Sequence, residues 1–379
     1  MYYNKFKDLE LSGLGFGCMR LPVIDGDDSR PDVDAVQEMV DYAMANGINY
    51  YDTAWGYHGG NSESVMGKVL SKYDHKDFYI ASKFPGYDRD NYARKEEIFQ
   101  KQLDNCQVDY FDFYLFHCVE DKNIDMYLDD ELGLADYLAS EKEAGRIKNL
   151  GFSCHGSFET LHRFIKKYWR IIDFCQIQLN YLDFEYQNAK LKVEELDNLN
   201  IPIWVMEGLR GGKLAQSCLG AEKILAKSNP EWTPANWAFG FLESIPGVTM
   251  ILSGMSNMEQ LQQNIEFFSE KKTISDEDMG ALFTAAHFEV TGTKAGTIPC
   301  TACRYCTSKC PQELDIPRII DLYNQHIAMD ENISAVTRDT FAADKLPTAC
   351  IGCGSCAAVC PQRIDIPDVM KMYSKMLES

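Results

Sequence analysis

Tyr110-Phe-Asp-Phe-Tyr-Leu-Phe116, followed at once by His117, is aromatic and apolar apart from one aspartate. It reads as a strand, and it stands between two stretches of helical periodicity, Arg94–Cys106 before it and Glu131–Ala144 after it. Further strands are expected at Phe78-Tyr-Ile-Ala-Ser82, Ile147-Lys-Asn-Leu-Gly-Phe-Ser153, Ile171-Ile-Asp-Phe-Cys-Gln-Ile177 and Ile201-Pro-Ile-Trp-Val-Met206. Shorter ones are expected near Gly13–Gly17, at Asn49–Asp52 and near Val248–Leu252. The segments Asp32–Asn46, Ser62–Tyr73 and Ser157–Tyr168 add helices between them. Eight strand–helix units can be counted over the first 290 residues. That alternation predicts a parallel sheet, either closed as a barrel or doubly wound. Periodicity alone does not separate the two. Gly13 and Gly15 begin a glycine pattern whose last position holds Cys18, so no dinucleotide-binding fingerprint is completed.

The chain has 379 residues and a formal net charge of −20. Residues 291–379 hold 9 Lys and Arg against 10 Asp and Glu, so the acidity belongs to the first 290. A polyanionic partner, whether nucleic acid or an anionic membrane, is therefore not expected. The opening Met-Tyr-Tyr-Asn-Lys-Phe-Lys-Asp-Leu-Glu-Leu-Ser-Gly lacks the apolar core of a signal peptide, and no run approaches a membrane span. A cytoplasmic location is expected. With no secretion signal, the 14 cysteines point to metal or redox chemistry rather than to disulfides.

Eight of those cysteines form an internal repeat in the last eighty residues. Cys300-Thr-Ala-Cys303-Arg-Tyr-Cys306-Thr-Ser-Lys-Cys310-Pro311 recurs fifty positions later as Cys350-Ile-Gly-Cys353-Gly-Ser-Cys356-Ala-Ala-Val-Cys360-Pro361. Each copy runs into a helical pattern, Ile319–Asn324 and Val369–Met376. Soft thiolates at this spacing suit iron–sulfur clusters, with a pair of zinc sites as the competing reading. The run resembles that of bacterial two-cluster ferredoxins, in which three close cysteines hold one cluster and the fourth reaches the other. That resemblance implies one 4Fe-4S cluster on Cys300, Cys303, Cys306 and Cys360, and a second on Cys350, Cys353, Cys356 and Cys310. The following helices, and the 39 residues between Cys310 and Cys350, resemble an α-helical ferredoxin.

Four polar residues fall at or just past expected strand ends: Asp52, Tyr57, Lys83 and His117. Barrel enzymes draw catalytic groups from such positions. A tyrosine is a poor acid–base catalyst at neutral pH, having an ordinary pKa of about 10. A neighbouring ammonium stabilises its phenolate, a carboxylate holds the ammonium, and an imidazole can orient a carbonyl oxygen.

In order and context these four match the tetrad of aldo-keto reductases, which residues 8–270 resemble. Gly15-Phe-Gly-Cys-Met-Arg-Leu21 looks like that family's first strand. The resemblance implies a (β/α)8 TIM barrel over residues 1–290, followed by a small, mainly α-helical ferredoxin-like domain over 291–379. It also implies NADP or NAD as cofactor and a small carbonyl compound as substrate. Gly17, Ser153, Gln176, Met206, Gly254, Ser256, Gln260 and Asn264 stand where the family contacts the nicotinamide cofactor. Cys154 replaces the usual asparagine after the serine, and Met206 the usual stacking tyrosine. No Lys or Arg occurs between 246 and 264, where a cation normally meets the 2′-phosphate of NADPH. Trp55, His58 and His155 are expected either to shape the substrate pocket or to serve ordinary loop packing. Cys18, Cys106, Cys118, Cys154, Cys175 and Cys218 are expected to be mostly buried thiols, with Cys18, Cys118 and Cys154 near the mouth.

The expected function is NAD(P)H-dependent carbonyl reduction with Tyr57 as general acid/base, accompanied by two 4Fe-4S clusters. Clusters pass single electrons while nicotinamide exchanges two, so three arrangements stay open. The clusters are structural, or they connect a redox partner protein to the barrel through a flavin, or they feed electrons straight to the substrate. The alternative function is a ferredoxin-linked reductase or electron carrier.

Overall fold

The computed structural model describes residues 1–186, 188–216, 219–292, 298, 300–329, 337–338 and 340–378; Cys218 lies outside the described residues. The chain divides into two compact units, Met1–Leu209 with Ala235–Met279, and Arg210–Pro234 with Gly280–Ser379.

In the first unit eight parallel strands close into a barrel in the order β10-β3-β4-β5-β6-β7-β8-β9. They are β3 (Leu14–Gly17), β4 (Tyr50–Asp52), β5 (Tyr79–Phe84), β6 (Phe111–Val119), β7 (Ile147–Cys154), β8 (Phe174–Gln178), β9 (Ile203–Met206) and β10 (Val248–Gly254). The closed barrel resolves the choice that periodicity left open. Helices Val33–Ala45, Ser62–Leu70, Lys95–Cys106, Leu134–Glu143 and Phe158–Tyr168 follow successive strands. Their starts obey local chemistry: Asp32 accepts a hydrogen bond from the Ala35 amide and Ser157 from the Thr160 amide, each satisfying an orphan donor.

Two details depart from expectation. β8 starts at Phe174, because Asp173 is drawn into a polar knot below it. Its carboxylate meets Lys7 Nζ at 2.7 Å, Lys142 Nζ at 2.5 Å and the Leu150 amide at 2.9 Å. The N-terminus also forms an unforeseen hairpin, β1 (Tyr3–Phe6) with β2 (Leu9–Ser12), turning at Lys7 with φ +53°. Its Phe6 and Leu11 join Tyr50, Phe113, Phe174, Trp204 and Met250 in the barrel core. Phe6 meets Trp204 edge-on at 5.0 Å, and Trp204 lies 4.5 Å from Phe174. Each such ring taken from water contributes roughly 1.5–3 kcal/mol, so the interior is a packed core and not a pore. Outside the barrel, Gly67 lets its helix sit against the next one: a Cβ there would lie 2.2 Å from the Asn105 carbonyl oxygen.

The second unit is built on the fifty-residue repeat. Helices Ile316–Met329 and Ile366–Glu378 follow the two cysteine runs. Leu314, Ile316, Ile319, Ile320 and Tyr323 are buried, and so are Ile364, Ile366, Val369, Met370 and Tyr373. Each lies fifty positions from its mate, and Tyr323 meets Tyr373 edge-on at 5.6 Å. Left-handed backbone recurs at the same offset, at Ala302 and Gly352, Arg304 and Gly354, Glu313 and Arg363. The two runs therefore share a backbone path as well as a spacing. Among the described residues no helix is long and apolar enough to cross a membrane.

Candidate active site and cysteine cavities

Asp52 ends β4 and pairs in register with Ala81 of β5. Side chains alternate along a strand, so Lys83, two residues on, shares the face of Ala81. Lys83 Nζ lies 2.5 Å from Asp52 Oδ1 and 2.7 Å from the Thr53 carbonyl oxygen, and it donates to the Tyr57 hydroxyl at 3.2 Å. Tyr57 arrives on the turn after β4. Its ring stands edge-on to His117, centroids 5.9 Å apart. All four side chains are buried. The expected tetrad is thus one constellation.

His117 owes its aim to an irregularity. β6 runs past the expected end at Phe116, and its pairing with β7 slips between Phe116 and Val119, with Cys118 at φ +56°. Such a bulge bends a strand and re-aims the adjoining side chain. The backbone is pinned on both sides of the imidazole. The Tyr127 hydroxyl donates to the His117 carbonyl, and the Cys118 amide donates to Ser153 Oγ at 2.8 Å. Burial, then the Lys83 charge and His155, hold His117 well below the ordinary imidazole range, so it is neutral at pH 7. Burial also pushes the Asp52 carboxyl up, and the Lys83 ammonium pulls the other way.

Several supporting residues gave no signal in the sequence. Tyr87 faces His117 edge-on at 5.5 Å. Behind β5, the buried Glu63 accepts from Ser82 Oγ at 2.6 Å and Gln102 Nε2 at 2.6 Å, while Gln102 also holds the Lys83 carbonyl oxygen at 3.0 Å. His58, for which pocket shaping and ordinary loop packing are both open readings, takes the second. It ties two loops together, accepting from the Leu21 amide at 3.1 Å and meeting the Asp28 carbonyl at 2.8 Å. His155 fits the pocket reading better: it is close enough to His117 to depress it, and burial, Lys192 and Lys83 push its own pKa down to about 4. Trp55 is half-buried. Cys18, Cys106, Cys118, Cys154 and Cys175 are buried free thiols.

The residues expected at a nicotinamide cofactor fall into two groups. Ser153 and Gln176 are register partners on β7 and β8, and Gln176 Nε2 lies 3.5 Å from Met206 Sδ. Among the described residues Gln176 Oε1 is buried without a partner, which suits the donor of a carboxamide. Gly17 pairs with Gly254 across β3 and β10. Gln260 accepts from the Ser256 amide at 2.8 Å and Asn264 donates to Ser253 at 3.1 Å, so these side chains also brace their own loop. A basic residue lies beside this loop from the turn after β3: aliphatic carbons of Arg20 lie 3.1 Å from where a Cβ on Gly254 would sit. A scan of residues 246–264 alone cannot find it.

In the second unit the eight repeat cysteines line two small apolar cavities. Cys300, Cys303, Cys306 and Cys360 line one; Cys310, Cys350, Cys353 and Cys356 line the other. The Ala302 amide points at Cys300 Sγ, 3.4 Å away. Four thiols around an otherwise largely apolar void suit a thiolate-ligated cluster.

Comparison with known proteins agrees with both halves. Residues 13–285 match the aldo/keto reductase family and residues 299–364 a 4Fe-4S dicluster domain. An uncharacterized oxidoreductase of Bacillus subtilis, YqkF, is 25% identical over 73% of this chain and 92% of its own. The L-galactose dehydrogenase of Arabidopsis thaliana is 23% identical over 70% of this chain and 87% of its own. Among solved structures, the holo form of aldo-keto reductase AKR11C1 from Bacillus halodurans superposes with a TM-score of 0.60 at 22% identity, covering 75% of this chain and 95% of that one. The family match spans well over half of the sequence, and the chain belongs to the aldo/keto reductase family, with a 4Fe-4S domain following its barrel.

Proposed function

We propose that the barrel reduces a small carbonyl compound to the alcohol with NADH or NADPH, and that the eight repeat cysteines hold two 4Fe-4S clusters. The observation that carries the first part is Lys83 Nζ, which touches both Asp52 and the Tyr57 hydroxyl from a fully buried position.

The nicotinamide, when bound, supplies a hydride to the carbonyl carbon. Tyr57 supplies the proton to the oxygen, so one hydride and one proton complete the alcohol. Lys83 stabilises the phenolate left behind, because a buried ammonium at 3.2 Å acts in a low dielectric. Asp52 fixes that ammonium. His117, kept neutral by burial and by Lys83, offers a hydrogen bond to the oxygen without competing as a proton source. On this reading Ser153 and Gln176 would hold the carboxamide, and Met206 would cover the ring.

Reduction of an aromatic aldehyde with NADH or NADPH deuterated at C4 tests this directly. Deuterium on the carbinol carbon is the expected result. An alcohol free of that deuterium would instead favour the second reading, a ferredoxin-linked reductase or carrier. The observation behind that reading is the pair of cysteine cavities, which ordinary aldo-keto chemistry does not need.

A further inference from the structure

The two cysteine runs match in spacing, in core packing and in left-handed backbone, and they differ in charge. The residue after the second cysteine is left-handed in both copies: Gly354 at φ +76° in one, Arg304 at φ +63° in the other. That conformation is strained for any residue that carries a Cβ. The backbone therefore gives no reason for an arginine there, and what it contributes comes through the guanidinium. Arg304 lines the cavity of Cys300, Cys303, Cys306 and Cys360. Among the described residues lining the other cavity, none is charged.

We infer that Arg304 sets the reduction potential of the Cys300-side site, making two sites of the same ligand set unequal. The inference rests on the proposal that these thiols hold 4Fe-4S clusters. One-electron reduction adds a negative charge to a site that already carries four thiolates, and a nearby cation stabilises that added charge. Asp315 accompanies Arg304 at 3.3 Å and offsets part of its charge. Lys213, on the turn Arg210–Ala215, adds a cation near Cys300, with Arg210 and Asp321 also near. Arg318 neutralises Asp321 at 2.6 Å.

On the Cys350 side, Lys345 faces Cys310 but is held by Glu313 at 2.9 Å and by the Gln312 carbonyl at 3.0 Å. Asp365, Asp368 and Lys371 border the groove next to Cys350. The balance is positive on the first side and negative on the second. Exposure of Cys353 to water acts in the opposite direction, easing reduction on the Cys350 side. The decisive quantity is therefore the movement of one reduction wave, not the order of the two.

The test uses the full chain purified without oxygen. Iron and sulfide are assayed first, and a poised redox titration is then followed by electron paramagnetic resonance. Arg304→Gly copies the other run and relieves the backbone, while Arg304→Gln keeps the bulk. In both, one midpoint moves to more negative potential and the other stays, with iron content unchanged; Arg304→Lys retains most of the wild-type value. Both midpoints unmoved in fully loaded variants, or both moved equally, would overturn the inference. Wild-type protein holding fewer than about eight irons per chain would overturn the two-cluster reading itself.

Discussion

The barrel and the cysteine-bearing unit both hold polar groups away from water, and they do so by opposite means. In the barrel the polar groups satisfy one another: Lys83 is shared among Asp52, Tyr57 and the Thr53 carbonyl above a core already filled by Trp204, Phe113 and Phe174. In the second unit the thiols are part of the core and line two small apolar cavities, four to each. The charged groups of the barrel site are paired within the protein, although Gln176 Oε1 has no partner among the described residues. On the two-cluster reading, the clusters fill these cavities and complete the second unit's core.

The largest expected effect follows from that difference. Stripping iron with a chelator removes hydrogen-exchange protection from helices Ile316–Met329 and Ile366–Glu378 and leaves the barrel strands protected, because metal affinity is folding energy where the core is otherwise incomplete. Equal loss in both units would erase the distinction.

Acid acts on the other side of the comparison. His117 and His155 are held neutral in the folded barrel and take up protons once unfolded. Their folded pKa values lie below the ordinary one, so their neutral burial favours the fold above about pH 6.5 and disfavours it as pH falls. For His155 the window runs down to about 4. Each such group costs up to about 1.4 kcal/mol per pH unit inside it. Barrel melting temperature should fall below about pH 6.5, and His155→Gln should flatten that limb; an unchanged limb would show that His155 is not buried neutral.

Gly67→Ala drives a methyl into the Asn105 carbonyl and should destabilise the barrel by about 1–3 kcal/mol in thermal or denaturant unfolding. The smallest effects belong to the repeat. Ala302→Gly relaxes a left-handed residue and should stabilise the second unit by about 1 kcal/mol, while Gly354→Ala should cost a similar amount. Opposite signs would mean that the two runs do not share a backbone.

Much of the barrel could be read from the sequence because each strand carries its own apolar run and each helix its own periodicity. The tetrad was legible because Asp52, Lys83 and His117 lie at strand ends, a position that sequence pattern locates well. What escaped depends on contacts distant in the chain. Hairpin Tyr3–Ser12 has no helical partner to announce it. Tyr87 gains its place only through the fold, and Arg20 reaches Gly254 across β3 and β10. The bulge at Cys118 is a matter of register, which composition does not record. In the second unit the cysteine spacing is legible in the sequence, whereas the charge difference between its halves depends on the fold, which brings Arg304 to the lining of one cavity.

The claim on which the rest depends is that Tyr57 gives the proton. Wild-type and Tyr57→Phe proteins, both loaded with iron and equally folded by circular dichroism, are compared for aldehyde-dependent oxidation of NADH and NADPH. Loss of kcat by about 10²–10⁴-fold, with cofactor binding retained, is the predicted result. A Tyr57→Phe protein that reduces the aldehyde at the wild-type rate would contradict it.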